Sequence, residues 1–210
     1  MASTYSNLKI ELIGTGDQTG TWGATTNTNL GTALEEAIVG YATANFSSDA
    51  DLTISLTDSN ASQTARNFVL NLTSSGSLTA TRNLIVPTIE KPYVVFNNTT
   101  GGQSITVKTV AGTGITVPNG KKALLITDGT NVVDALTYLS SLAIGSTLAV
   151  TGATTLSSDL TLNAQSDLRF ADSDSSNWVA FQGPATVASN VTWTLPSTDG
   201  TSCLLYTSDA

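Results

Sequence analysis

The sequence predicts a mainly β protein: an N-terminal loop-plus-helix segment, an antiparallel β-sandwich or barrel domain, then an elongated β shaft. Three observations carry that reading. Thr and Ser supply 36 and 24 of the 210 residues and Glu only 4, a balance that favours strands and turns over helices. From Asp51 onward apolar residues alternate with polar ones at the two-residue period of a half-buried strand. The dipeptides Asn119-Gly120 and Asp128-Gly129 stand between such runs, and both suit the positive φ values that tight hairpins require.

Residues 1–40 form the attachment segment and hold the one credible helix. Leu8, Ile10 and Leu12 alternate as a strand does, residues 14–23 are a glycine-rich loop, and Leu30, Ala33, Leu34, Ala37 and Ile38 recur at helical spacing. Thr28 or Asn29 is the expected cap and Gly40 the expected end. Residues 41–136 form the antiparallel β domain. Leu52, Ile54 and Leu56 make one alternating run, Phe68, Leu70 and Leu72 another, and residues 83–86, 92–97 and 105–107 add more. Residues 114–134 read as three strands joined by two tight turns, an antiparallel meander. The expected core includes Phe68, Leu70, Tyr93, Val95, Ile105, Val107, Leu124 and Ile126. Residues 137–166 change texture: Leu142, Leu148, Val150, Leu156, Leu160 and Leu162 stand singly among small residues. One narrow apolar edge cannot make a core alone, so this repetitive β shaft needs copies of itself, wound about a threefold axis or stacked as a solenoid. Residues 167–202 turn aromatic, with Phe170, Trp178, Phe181 and Trp193, and residues 167–171 and 177–181 flank a Ser/Asp loop as a hairpin.

Composition excludes several function classes. His is absent, which removes imidazole acid/base catalysis, Ser-His-Asp and Cys-His nucleophiles and His-ligated zinc. The net charge is −8 with only 8 Lys and Arg, scattered along the chain, so no nucleic-acid surface built on counterion release is expected. No apolar run approaches the ~18 residues of a membrane span, and no basic region followed by an apolar stretch opens the chain, so neither membrane insertion nor a secretory signal is expected. The loop Gly14-Thr-Gly16-Asp-Gln-Thr-Gly20 has a glycine spacing one residue too long for a dinucleotide fingerprint and leads into no βαβ unit. Glu35 and Glu36 are adjacent on a helix and do not face each other, while Asp49 and Asp51 share a strand face without a second pair. Asp172-Ser-Asp174 opens like a calcium loop but has Asn177 and Gly183 where the Gly and the Glu belong. The sequence therefore assigns no catalytic, cofactor-binding or metal residues, and no cofactor.

Residues 203–210, Cys-Leu-Leu-Tyr-Thr-Ser-Asp-Ala, look like the translated end-adapter of a transposase-based sequencing library. On that reading Cys203, the sole cysteine, is not native and the natural chain continues beyond Ser202. Three other stretches go together: Glu11-Leu-Ile-Gly-Thr-Gly-Asp-Gln-Thr-Gly-Thr-Trp-Gly-Ala-Thr-Thr-Asn-Thr-Asn-Leu30, Leu84-Ile-Val-Pro through Asp134, and Leu168-Arg-Phe-Ala-Asp-Ser through Val191-Thr-Trp-Thr-Leu-Pro-Ser. They resemble structural proteins of marine tailed bacteriophages, tail fibres above all, over nearly the whole chain. The resemblance implies a homotrimeric, non-enzymatic virion protein, assembled in the host cytoplasm and residing in the phage tail. In such proteins the N-terminal part contacts other tail proteins, the shaft projects, and a C-terminal tip, missing here, binds a host surface glycan or protein. A particle assembled in a reducing cytoplasm cannot rely on disulfides, which suits the cysteine count. Two other classes fit the same composition: a bacterial surface adhesin or S-layer-like protein, and a tailspike polysaccharide depolymerase working through two carboxylates.

Overall fold

The computed structural model describes residues 2–192, and the chain divides into two compact units, Met1–Ala143 and Ile144–Ala210. Trp193 and the segment from 203 to 210 lie outside the described residues.

The first unit opens with a short antiparallel ladder, β1 (Thr4–Tyr5) on β2 (Glu11–Leu12). Its helix begins earlier than predicted. α1 (Trp22–Thr28) runs into a π-helical stretch (Asn29–Leu34) and on into α2 (Glu35–Val39). The expected cap is absent because backbone starts this helix: the Gln18 carbonyl accepts the N–H groups of Thr21 (2.9 Å) and Trp22 (3.0 Å). Asn29, freed from capping, uses its amide as a substitute peptide group, accepting from Glu11 N–H (3.0 Å) and donating to Glu11 O (2.7 Å). Gly40 ends the helix as expected, donating to Glu36 O (3.0 Å) and leaving in an extended conformation.

The chain then alternates between two sheets. One contains β3 (Tyr41–Phe46), β5 (Val69–Ser74), β7 (Lys91–Asn97), β10 (Lys122–Thr127) and β11 (Val132–Asp134), in the order β11-β10-β7-β5-β3. The other contains β4 (Leu52–Thr53), β6 (Arg82–Val86), β8 (Ile105–Thr109) and β9 (Gly114–Val117), in the order β4-β6-β8-β9. Three successive passages, β3 to β4, β5 to β6 and β7 to β8, lay each strand parallel to its predecessor in the same sheet. The hairpin β8–β9 then reverses the direction, and β10 pairs antiparallel with both β7 and β11. The sandwich predicted as antiparallel is therefore mixed, with the barrel alternative excluded because neither sheet closes. A strand that returns to its sheet by way of the opposite sheet arrives in the same direction as before, whereas only a tight turn reverses it. Alternation in sequence reads the same in both cases.

The core lies between the sheets. Phe46, Leu70, Leu72, Tyr93, Val95 and Leu125 come from one sheet and Leu84, Val86, Ile105, Val107 and Val117 from the other, each large side chain contributing about 1.5–3 kcal/mol by its burial. Leu124 and Ile126, predicted as core, stay 45% and 37% exposed while Leu125 is fully buried. Three consecutive apolar residues leave the register ambiguous, and a one-residue slip exchanges the two faces. Phe68 is half-buried, just before β5.

The predicted meander also resolves differently. The Asn119-Gly120 turn does not close a hairpin, because β9 and β10 lie in different sheets. Lys121 N–H donates to Pro118 O (3.1 Å) and only Gly120 has a positive φ, +72°, the pattern of a type II turn rather than the type I′ turn that matches hairpin twist. Asn97 fastens this corner: its backbone donates to Lys121 O (3.0 Å) and its amide to Val117 O (2.9 Å) and Gln103 O (3.0 Å). Asp128-Gly129 does join a hairpin, β10 to β11, with Gly129 at φ +87°. No atom lies within 4 Å of a Cβ added at Gly120, so Gly120→Val meets backbone strain alone. The expected loss is about 1–2 kcal/mol, read as a lower urea midpoint at unchanged m-value.

The second unit contains one ladder among its described residues, the predicted hairpin of β12 (Leu168–Ala171) and β13 (Trp178–Phe181). Residues 137–166 form no ladder within the chain.

Candidate functional site

Of the carboxylates considered above, all but Glu35 are drawn into local structure. Asp49 accepts from Arg82 Nε (2.8 Å) and Thr79 Oγ1 (2.5 Å), and Asp51 from Asn83 N–H (2.8 Å) and Nδ2 (2.7 Å). These bonds hold both carboxyls below their ordinary range, the arginine bond being the largest influence on Asp49 and the Asn83 amide on Asp51. Glu36 turns inward to Arg66 at 3.1 Å, while Glu35 stays exposed. Asp172 and Asp174 accept from loop N–H groups of Asn177 (3.3 Å) and Ser176 (3.0 Å), which shapes the β12–β13 turn. Among the described residues no three His, Cys, Asp or Glu side chains gather as a metal site would require.

Two buried cations were not anticipated. Arg66 is fully buried and donates to Leu8 O (2.8 Å), Ser59 O (2.7 Å), Ala61 O (2.9 Å) and Glu36 Oε2 (3.1 Å). It thereby ties the N-terminal segment and the helix to the sandwich, so a boundary drawn between residues 40 and 41 cuts through its contacts. Lys91 is 4% exposed, sits 4.5 Å above the Tyr93 ring, and among the described residues its ammonium donates to Pro92 O alone (3.2 Å). Burial alone pushes it down to about 8. Parity already pointed to it: in Lys-Pro-Tyr-Val-Val-Phe-Asn, Tyr93, Val95 and Asn97 face inward, and so must residue 91. Arg66 left no such signal, because most of its partners are backbone carbonyls and its one carboxylate, Glu36, is thirty positions away.

The surface best suited to function is apolar. In the β12–β13 hairpin, register places Leu168 opposite Phe181 and Phe170 opposite Val179, so these four share one face, and all are exposed. Phe170 and Phe181 meet edge to face at 6.0 Å. On the other face Arg169 is 4.1 Å from the Trp178 ring centre and 2.8 Å from Asp167. A two-stranded hairpin with a bare apolar face is marginal in water. Preceding it, Ile144, Leu148, Val150, Leu156, Leu160 and Leu162 are likewise exposed. Arranged in this way, the described residues of the unit present exposed apolar surface. Compared with protein-family models, curated proteins and solved structures, the chain matches none.

Proposed function

We propose that this chain is a structural subunit of a phage tail fibre or related virion component that works as a homotrimer. Its first unit supplies attachment to other tail proteins through residues 1–40, and its second unit contributes a shaft on the way to a host-binding tip. The observation that carries the proposal is the second unit's lack of a core. Among its described residues thirteen large apolar side chains are exposed, and only Asp167 is less than exposed. A single chain gains almost nothing from ordering such a segment against the entropy lost, whereas three copies bury the aliphatic edges against one another. The assignment to a virion rests on the resemblance of the three sequence stretches, with the low charge and the Thr/Ser surface in agreement.

Equilibrium sedimentation of the chain is expected to give the mass of three copies. Leu148→Asp combined with Leu156→Asp places six carboxylates along the proposed shaft and is expected to return the species to monomer with the sandwich intact by circular dichroism. A wild-type monomer whose amides are protected from exchange throughout residues 137–192 would overturn the proposal.

A further inference from the structure

The outward face of the five-stranded sheet carries an apolar row beside a polar corner, where Thr43, Asn45, Asn71 and Thr73 lie on β3 and β5 and Thr73 Oγ1 donates to Asn45 Oδ1 (3.0 Å). Register aligns Tyr41 with Val69, Val69 with Val94, and Val94 with Leu124, one row across four strands. Ile126 and Phe96 flank it on the same face. Tyr41 is 62% exposed and Leu124 45%. By strand parity Lys122 is the one charged side chain on this face, and its ammonium lies 5.0 Å from the Phe96 ring centre. In a chain of net charge −8, identical copies approach with least repulsion where charge is missing. Along the chain the row continues into the exposed Val39 and Ile38.

Its size decides the kind of partner. Even the whole face, five strands at about 4.8 Å and about six residues at 3.3 Å, has a footprint of roughly 450–500 Å², short of the ~800 Å² per partner that a stable free-standing complex uses. Such a face cannot hold a partner from dilute solution. It suffices when copies are already tethered, because linkage raises the effective concentration to the millimolar range.

We infer that this sheet face packs against the first unit of a second copy of the same chain, and does so only within the assembled oligomer. The inference rests on the trimeric shaft proposed above. It assigns the first unit a part in the fibre beyond attachment.

Thiol accessibility tests it in the full-length chain. In a Cys203→Ser background, Leu124→Cys places a thiol in the apolar row, Ala80→Cys places a control thiol at an exposed bend between β5 and β6, and Ile126→Cys repeats the test at a second position. In the assembled protein the thiol at 124 is expected to react with a maleimide about tenfold or more slowly than that at 80, the gap shrinking to about twofold when Leu148→Asp and Leu156→Asp break the shaft. Equal rates at 124 and 80 in a chain that sediments as a trimer overturn the inference and leave the shaft standing. A wild-type monomer with both thiols reactive overturns both. Protection at 124 that survives when the shaft is broken means the face holds a partner without tethering, and overturns the inference as stated.

Discussion

Replacing Arg66 by methionine is expected to cost the first unit about 3–5 kcal/mol, the range for breaking a buried ion pair from one side. Methionine keeps much of the stem's packing, so the loss isolates the guanidinium. Without it the carbonyls of Leu8 and Ala61 lose the guanidinium as donor, Ser59 O keeps Gln63 Nε2 (2.6 Å), and Glu36, whose side chain is only 13% exposed, loses its cation while still accepting from Gln63 N–H (3.2 Å) and Ser62 Oγ. Leaving buried acceptors unpaired is costlier than the bond itself is favourable. Urea unfolding followed at the helix and sheet bands should show the loss, and the ladder β1–β2 should become open to proteolysis before the sandwich does. Adding Glu36→Gln is expected to recover part of the energy by removing the stranded charge. A loss below about 1 kcal/mol would show that water enters to satisfy these groups.

Lys91→Met is expected to act in the opposite direction. The folded lysine titrates at about 8, below the ordinary ~10.4 of an unfolded chain. Below pH 8 both states carry the proton, and the folded state bears the full desolvation cost. Between pH 8 and about 10.4 the unfolded state binds more protons than the folded one, so wild-type stability rises with pH. The difference corresponds to roughly 3 kcal/mol. The variant should therefore be more stable than wild type at pH 7 by up to that amount, with the gap closing toward pH 10.5. Taking the difference between the two proteins cancels every contribution that they share. Thr127 stands directly across the ladder from Lys91, and its buried hydroxyl has no partner among the described residues, so the variant removes the cation from a site already short of polar contacts. A gap that does not narrow as pH rises would show that the ammonium is hydrated in the folded protein.

Alternation of apolar residues made strand content legible in part: Leu52, Ile54 and Leu56 alternate as cleanly as any run, yet only Leu52–Thr53 pairs as a strand. Residues 105–109 alternate cleanly, while 69–74, 91–97 and the hairpin of residues 168–181 mix alternation with short apolar runs bounded by turn residues. Tyr-Ala-Thr-Ala-Asn-Phe, which forms β3, gave no such signal because alanine is apolar without being large. Parallel pairing was illegible for a different reason: it depends on where the intervening segment travels, and nothing local to a strand records that. The Asn-Gly dipeptide marked a turn correctly but not its type, since Asn97, more than twenty positions earlier, holds that corner between the sheets. The association surface was legible in part. Lone aliphatics in the second unit pointed to self-assembly, while the outward row from Tyr41 to Leu124 emerges only once four strands are placed in register. Lys91 was within reach of a parity argument, and Arg66 was not.

The strand order has a mechanical meaning. The chain enters the five-stranded sheet at β3 and leaves it at β11, and these are its two opposite edges. Tension applied through the flanking segments cannot be short-circuited by one pair of neighbouring strands. It crosses four ladders in series, β3 on β5, β5 on β7, β7 on β10 and β10 on β11. The last is the shortest, with three paired residues against six between β10 and β7. Under load the exit edge therefore yields first, lengthening the connection while the doubly flanked interior strands and the core behind them stay in place.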